Sequence, residues 1–266
     1  NKNLINFKIK NFDKRLNLSE INFKGCGIEL TAKSFHKPKK TPNYNLKQLK
    51  NIIKNNKIIC KNQNALIIGG SNGLGEIVSK LITLYSGKVL ITYNKNKEKA
   101  YAIKKDFLKN KFNLKKLKID VTNNKDLTKL IKINNINSIY YFATPKINNY
   151  LPNSINLKFY KKYYVDLPSK ILKLLIKKNN IKLFFYPSSI FINNQNLNSK
   201  LKIYAQQKKI GEKKLKLECK NYNIGCCIIR LPQVNTDQNI SYIPQKTLDV
   251  VEASNKIIEE TNKFFN

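Results

Sequence analysis

Tyr204 and Lys208 stand four residues apart in an amphipathic stretch, so on a helix both side chains project from one face into one cleft. That pairing suits proton transfer. A phenol with its ordinary pKa near ~10 is poorly matched to neutral pH, and a neighbouring ammonium stabilises the phenolate and brings that value down. Such a pair could protonate the alkoxide that forms when a hydride is added to a carbonyl. Both residue types are abundant here, and an i, i+4 pair alone carries little weight. Its weight comes from what precedes it. Ser188-Ser189 closes the apolar run Leu183 to Tyr186, sixteen and fifteen residues before Tyr204.

Further upstream, Asn64 to Gly75 reads Asn-Ala-Leu-Ile-Ile-Gly-Gly-Ser-Asn-Gly-Leu-Gly. An apolar run, a glycine-rich turn and an amphipathic segment from about Leu74 to Tyr85 follow one another, as in a strand, a phosphate-binding turn and a helix. Gly69 lets the chain turn out of the strand, Gly73 removes a Cβ where a pyrophosphate would approach, and Gly75 lets the helix pack close to the strand. Ser71, Asn72 and Leu74 complete the turn. The helix start offers free N–H groups and a partial positive charge to phosphates.

The glycine spacing, G-x-x-x-G-x-G, resembles that of the short-chain dehydrogenase/reductase family, and the resemblance continues in order along the chain over about Lys57 to Gln238. Ile119-Asp120-Val121-Thr122 is similar to the family's D-V-T element, Tyr204 to Lys208 matches its Y-x-x-x-K, and Leu231-Pro232-Gln233-Val234-Asn235-Thr236-Asp237 is similar to its P-G-x-x-x-T segment. The resemblance implies that Tyr204 is the general acid/base and that Lys208 binds the nicotinamide ribose and tunes Tyr204. Ser189, rather than Ser188, would orient the substrate oxygen. It also implies a dinucleotide held by the glycine turn, by Asp120 and Val121 at the adenine, by Ala143 beneath the adenosine ribose, and by Pro232, Val234 and Thr236.

Several positions depart from the family pattern. Ile68 replaces a Thr and removes one turn hydrogen bond. Phe142-Ala143-Thr144 stands where N-A-G is common, which should loosen the support beneath the cofactor. Aligning Tyr164-Val165-Asp166-Leu167 on the family's water-holding Asn puts Asp166 at that position. Pro168 inside the same helix frees the carbonyl of Tyr164 and kinks the helix. After the second strand the chain has no acid until Glu98, and Asn94, Lys95 or Lys97 could meet a 2′-phosphate. NADP(H) is therefore expected over NAD(H). Glu212 is expected to pair with Lys208 or Lys216 along the helix.

The chain of 266 residues carries a net charge of +35. Its 49 lysines are spread along the chain rather than focused on one element, and Arg15 and Arg230 are its two arginines. Nucleic-acid sites favour the arginine fork, so no specific nucleic-acid partner is expected. The charge would still attract an anionic cofactor. Five cysteines without C-x-x-C spacing and a single histidine argue against a metal site and fit a reducing cytoplasm. Neither an apolar run of membrane length nor a secretory signal is present, so no membrane partner is expected. A chain that begins with Asn and contains no Met is expected to be a processed product or a piece of a longer protein.

Alternating strand and helix patterns from Lys57 onward predict an α/β fold: a doubly wound parallel sheet, Rossmann-like, in three α/β/α layers. Strands are predicted at Ala65–Ile68, Lys88–Thr92, Lys115–Ile119, Ser138–Phe142, Lys182–Tyr186 and Gly225–Ile229. Helices are predicted at Leu74–Tyr85, Lys97–Asn110, Lys125–Ile133, Lys158–Lys178, Tyr204–Lys220 and Thr247–Phe264. Residues 1–45 read as a short N-terminal extension or the end of a preceding domain, with strands in Leu4–Ile9 and Ile21–Leu30, and residues 46–266 as the main domain. The glycine turn, Asp120, Ala143, Ser189 and Val234 to Thr236 all fall at strand carboxyl ends, where such a sheet binds ligands. A small carbonyl or alcohol would enter between Ile147–Leu157, Phe191–Ile203 and Gln238–Gln245, and a homodimer would form through the two long helices. Two rival readings are a dinucleotide-binding protein without turnover and a polyanion-binding module.

Overall fold

The computed structural model describes residues 4–36, 43–145, 153–195, 197, 199–236 and 247–265. They divide into two compact units, one of Asn1–Pro42 with Asn235–Thr247 and one of Asn43–Val234 with Leu248–Asn266. The first boundary thus falls three residues before the one expected, and Thr236 belongs with the N-terminal unit.

In that unit β1 (Asn6–Asp13), β2 (Leu18–Gly25) and β3 (Ile28–Phe35) form an antiparallel sheet. The stretch Ile21–Leu30, expected to hold a strand with Gly25 and Gly27 marking a bulge or turn, is a hairpin: Cys26 and Gly27 have φ of 51° and 74°, the left-handed pair that matches strand twist in a two-residue loop. Cross-strand apolar rows, Phe7 on Phe23 and Ile9 on Ile21, set the register.

The second unit is the doubly wound sheet. α1 (Leu46–Ile52) opens it with a reciprocal Asn45/Gln48 capping box. Then come β4 (Asn64–Ile68), α2 (Gly73–Leu84), β5 (Lys88–Tyr93), α3 (Lys97–Lys109), β6 (Lys115–Lys118) and β7 (Ser138–Tyr141). The crossover into β7, expected as one helix, is a short α4 (Asn124–Leu127) followed by a 3-10 turn at Thr128–Lys132. After β7 follow α5 (Asn153–Lys161), a π turn (Lys162–Asp166), α6 (Leu167–Leu175), β8 (Leu183–Ser189), α7 (Ser199–Asn221), β9 (Gly225–Leu231) and α8 (Val250–Asn262). All six strands are parallel in the order β6-β5-β4-β7-β8-β9. The order reverses between β4 and β7, and the crevice there is where such sheets bind ligands.

Both faces of the sheet are covered, so its central strands β4 and β7 are almost wholly buried, while the edge strand β6 keeps three lysines. One core joins Leu46, Ile67, Val78, Phe107, Phe185 and Ile257, and the other joins Leu66, Ile68, Leu130, Tyr141, Ile171 and Leu215.

Candidate active site

The glycine turn leaves β4 at Gly69, whose φ of +81° is open to a residue without Cβ. A Cβ on Gly75 would lie 2.4 Å from the Gly69 carbonyl oxygen, so helix and strand can approach this closely only with glycine there. Ile68 offers no hydroxyl to the turn. Thr92 on β5 supplies one instead: its Oγ1 accepts from Gly69 N–H at 3.1 Å. Ser71 is buried, while Asn72, Gly73 and Leu74 are half-buried. Asn72 precedes α2 without capping it, and its side chain accepts from Lys99 Nζ at 2.8 Å. The first N–H groups of α2 therefore have no side-chain cap, and the Asn72 side chain is drawn to a cation instead.

At the neighbouring strand ends, Asp120 Oδ1 accepts from Thr122 N–H at 2.8 Å and Thr122 hydroxyl at 2.7 Å. Burial works to raise the Asp120 acid, but the hydrogen bonds from Thr122 and the Asn94 side chain outweigh it and hold it below the usual carboxylate range. Asn94 thus sits against Asp120. Val121 is buried, Lys95 is exposed, and Lys97 lies over the Tyr101 ring at 5.8 Å. A cation that reaches the turn is Lys99, a residue on α3 that belongs to none of the motifs. Ala143 lies against the turn: a Cβ on Gly69 would stand 3.1 Å from its backbone nitrogen. Phe142, in place of the family Asn, meets Phe185 in a tilted ring contact at 5.6 Å, so the support beneath the turn is apolar.

Tyr204, Lys208 and Ser189 come together. β8 ends at Ser189, whose Oγ accepts from Phe191 N–H at 3.3 Å and shares a hydrogen bond with Tyr204. One helical turn along α7, Lys208 is buried, 6% exposed, and donates from Nζ to the Pro187 carbonyl at 2.5 Å. Desolvation brings Lys208 down to about 7, with Glu212 pulling the other way. Tyr204 does not behave as expected. Burial pushes it up to about 12 against the hydrogen bond from Ser189, and the ammonium that was to lower it faces Pro187.

Two further expectations are corrected. Asp166 is exposed, with Oδ1 3.8 Å from Lys214 Nζ, so it is not the group that meets the buried Lys208. The residue that does is Tyr164, whose ring centroid lies 4.2 Å from Lys208 Nζ. The π turn adds a residue to one helical turn, and a helix read at ordinary phase assigns the wrong side chain to the cleft. Pro168, near the start of α6, was the sequence signal for that irregularity. The freed Tyr164 carbonyl accepts from Tyr186 hydroxyl at 3.0 Å, and that of Tyr163 from Tyr141 hydroxyl at 2.8 Å. The second correction concerns Glu212, which pairs not with a helix lysine but with Arg230 on β9, Nε to Oε1 at 2.9 Å and Nη2 to Oε2 at 2.7 Å. Burial raises the Glu212 acid, but Arg230 outweighs that and holds it below the ordinary range.

Beyond β9, Pro232 is exposed and Val234 is buried in a parallel bridge with Leu248. Of the three expected substrate segments, residues 146–152, 196, 198 and 237–246 lie outside the described residues. Among the described residues no His, Cys, Asp and Glu cluster could hold a metal ion, and no helix is long and apolar enough to cross a membrane.

No family model and no curated protein matches the sequence. Solved structures do match in fold. A short chain dehydrogenase from Burkholderia cenocepacia in complex with NADP is similar at a TM-score of 0.61 and 13% identity, over 76% of this chain and 90% of that one. A 3-oxoacyl (acyl-carrier-protein) reductase from Agrobacterium tumefaciens with NADP bound gives 0.64 and 15%, over 76% and 88%. A short-chain dehydrogenase/reductase from Serratia marcescens gives 0.66 and 14%, over 75% and 91%. The chain has the short-chain dehydrogenase/reductase fold.

Proposed function

We propose that this chain is an NAD(P)-dependent oxidoreductase of the short-chain dehydrogenase/reductase class, reducing a small carbonyl compound with NADP(H) in preference to NAD(H). The observation that carries the reading is the meeting of Ser189, Tyr204 and buried Lys208 at the carboxyl end of β8, in the same sheet whose β4 ends in the glycine turn. The turn fits a dinucleotide: a Cβ at Gly75 would fill the close approach, and α2 begins without a side-chain cap. Gly69, Ser71, Asn72, Gly73, Leu74 and Gly75 would hold the pyrophosphate, Asp120 and Val121 the adenine, and Ala143 the adjoining ribose. Val234 and Pro232 would lie at the nicotinamide end. Lys99, with Lys95 and Asn94, would meet a 2′-phosphate.

A bound nicotinamide dinucleotide supplies the hydride. The chain's own groups handle the proton and the geometry. Ser189 orients the substrate oxygen, and Tyr204 protonates it. With its value raised to about 12, Tyr204 stays protonated throughout the neutral range but is a weaker acid than a free phenol, so proton donation depends on positive charge reaching it. Lys208 is poised near 7, so it can carry a positive charge toward the phenolate left behind. NADPH and NADH titrations by fluorescence test the reading. Tight NADPH binding by wild type, abolished in Gly73→Asp, with carbonyl reduction lost in Tyr204→Phe, is the expected outcome. Absence of binding to either nucleotide sinks it.

The ammonium of Lys208 faces Pro187 rather than the Tyr204 hydroxyl, and this favours a second reading, a dinucleotide-binding protein without turnover. Tight nucleotide binding with no turnover across a broad panel of carbonyls and alcohols would select it.

A further inference from the structure

We propose that Tyr164 is a positioning residue for the proton-transfer pair: its buried ring holds the Lys208 side chain in place and stands upright against Tyr204. The inference rests on the oxidoreductase reading above, and it names a residue that the family motifs do not.

Lys208 Nζ lies among three rings, 4.2 Å from the centroid of Tyr164, 4.8 Å from Tyr186 and 5.9 Å from Tyr204. Tyr164 is the nearest, and it also meets Tyr204 at 5.4 Å and 87°. A cation in a desolvated site is stabilised by an aromatic face, and two rings prefer a perpendicular or offset contact. Tyr164 therefore touches both members of the pair in favourable geometry. It is itself fixed at both ends. Its hydroxyl shares a 2.7 Å hydrogen bond with Thr144, just beyond β7, and its carbonyl accepts from Tyr186 on β8. The groups facing Lys208 come from three elements: Tyr204 and Glu212 on α7, Tyr164 from the π turn, and Tyr186 with the Pro187 carbonyl from β8. Glu212 is already engaged by Arg230 on β9. The rings and one carbonyl are what immediately surround the ammonium. Removing the nearest ring disfavours the charged form, so Lys208 would release its proton at lower pH.

The test is NMR of protein labelled at lysine 13Cε, together with pH profiles of NADPH-dependent turnover. Wild type should show one lysine signal titrating near 7, shifted upfield by the rings and absent in Lys208→Gln. In Tyr164→Leu its midpoint should fall by about one pH unit, and the alkaline limb of turnover should move with it. Tyr164→Phe, which keeps the ring, should restore the wild-type midpoint. An unchanged midpoint in a folded Tyr164→Leu, with only the melting temperature lowered, makes Tyr164 a packing residue and overturns the proposal. Should Tyr164→Leu not fold, a wild-type Lys208 signal without ring-current shift overturns it equally. Because the signal is read without turnover, failure of nucleotide binding in the wild type would be recognised separately, as failure of the oxidoreductase reading.

Discussion

At the scale of single residues, Lys208 makes folding depend on pH in a direction that can be worked out. Its folded value of about 7 lies below the ordinary 10.5, so between those values the unfolded chain holds a proton that the folded chain has released. The cost of burying it is full below pH 7 and disappears as pH rises toward 10. Tyr204 acts oppositely: raised from 10 to about 12, it weakens the fold only above pH 10. Between pH 7 and 9.5 the wild-type contribution of Lys208 should therefore rise, and Lys208→Met should flatten that rise; urea midpoints across the window check it. The meeting of Ser189, Tyr204 and Lys208 was legible because it is tied to spacing: Tyr204 and Lys208 sit one turn apart on a regular helix, and Ser189 ends a strand. Asp166 faces solvent because the π turn at Lys162–Asp166 changes the phase of the helix, and that change leaves no periodic mark in the sequence. Tyr164 carried no motif, and its role depends on contacts with Thr144, Tyr204 and Lys208 from elsewhere in the chain.

At the scale of elements, the strands were the legible part, since a strand buried on both faces is written as a continuous apolar run. The helical layer was less so. Periodicity over Lys158–Lys178 is helical throughout, yet the observed helix widens at Lys162–Asp166. What stabilises the widened turn lies on other elements. Tyr186 and Tyr141 supply donors to its free carbonyls, and Gly211 on α7 lets that helix come in close. A Cβ on Gly211 would stand 2.1 Å from the Tyr164 carbonyl oxygen. Gly211→Ala should accordingly force α7 away, costing on the order of 1–3 kcal/mol. Tyr186→Phe leaves the same buried carbonyl without its donor and should cost about 1 kcal/mol. Chemical denaturation of the two variants measures both, and the double variant should cost less than the sum because they share one carbonyl.

For the whole molecule, the net charge of +35 is the dominant fact that the fold does not explain. Self-repulsion of so many like charges opposes the compact state, whereas attraction of an anionic ligand is strengthened by them. Salt should therefore act in opposite directions on two measurements. Between about 10 and 300 mM NaCl the melting temperature should rise, while NADPH affinity should fall as the field is screened over about a Debye length. Parallel movement of the two would show that the lysines act as local pairs and not as a field. The division into two units was only partly legible. The expected boundary at 45/46 lies three residues from the one at 42/43, whereas no residue pattern near Val234 or Leu248 marked the second boundary.

The bidentate pair between Arg230 and Glu212 has a consequence in terms of codon usage. Lysine, asparagine and isoleucine, which dominate this chain, can all be encoded with A and T alone, and arginine cannot. A gene drifting in that direction exchanges arginine for lysine wherever an ammonium serves as well. Arg230 stands where it does not. Its fork meets both oxygens of a carboxylate that is 5% exposed, and its remaining nitrogen reaches Asn193 at 2.9 Å. Arg230→Lys, an exchange to the chain's own commonest cation, should therefore lower stability by about 1–2 kcal/mol, more than the same exchange at Arg15, whose side chain is almost fully exposed.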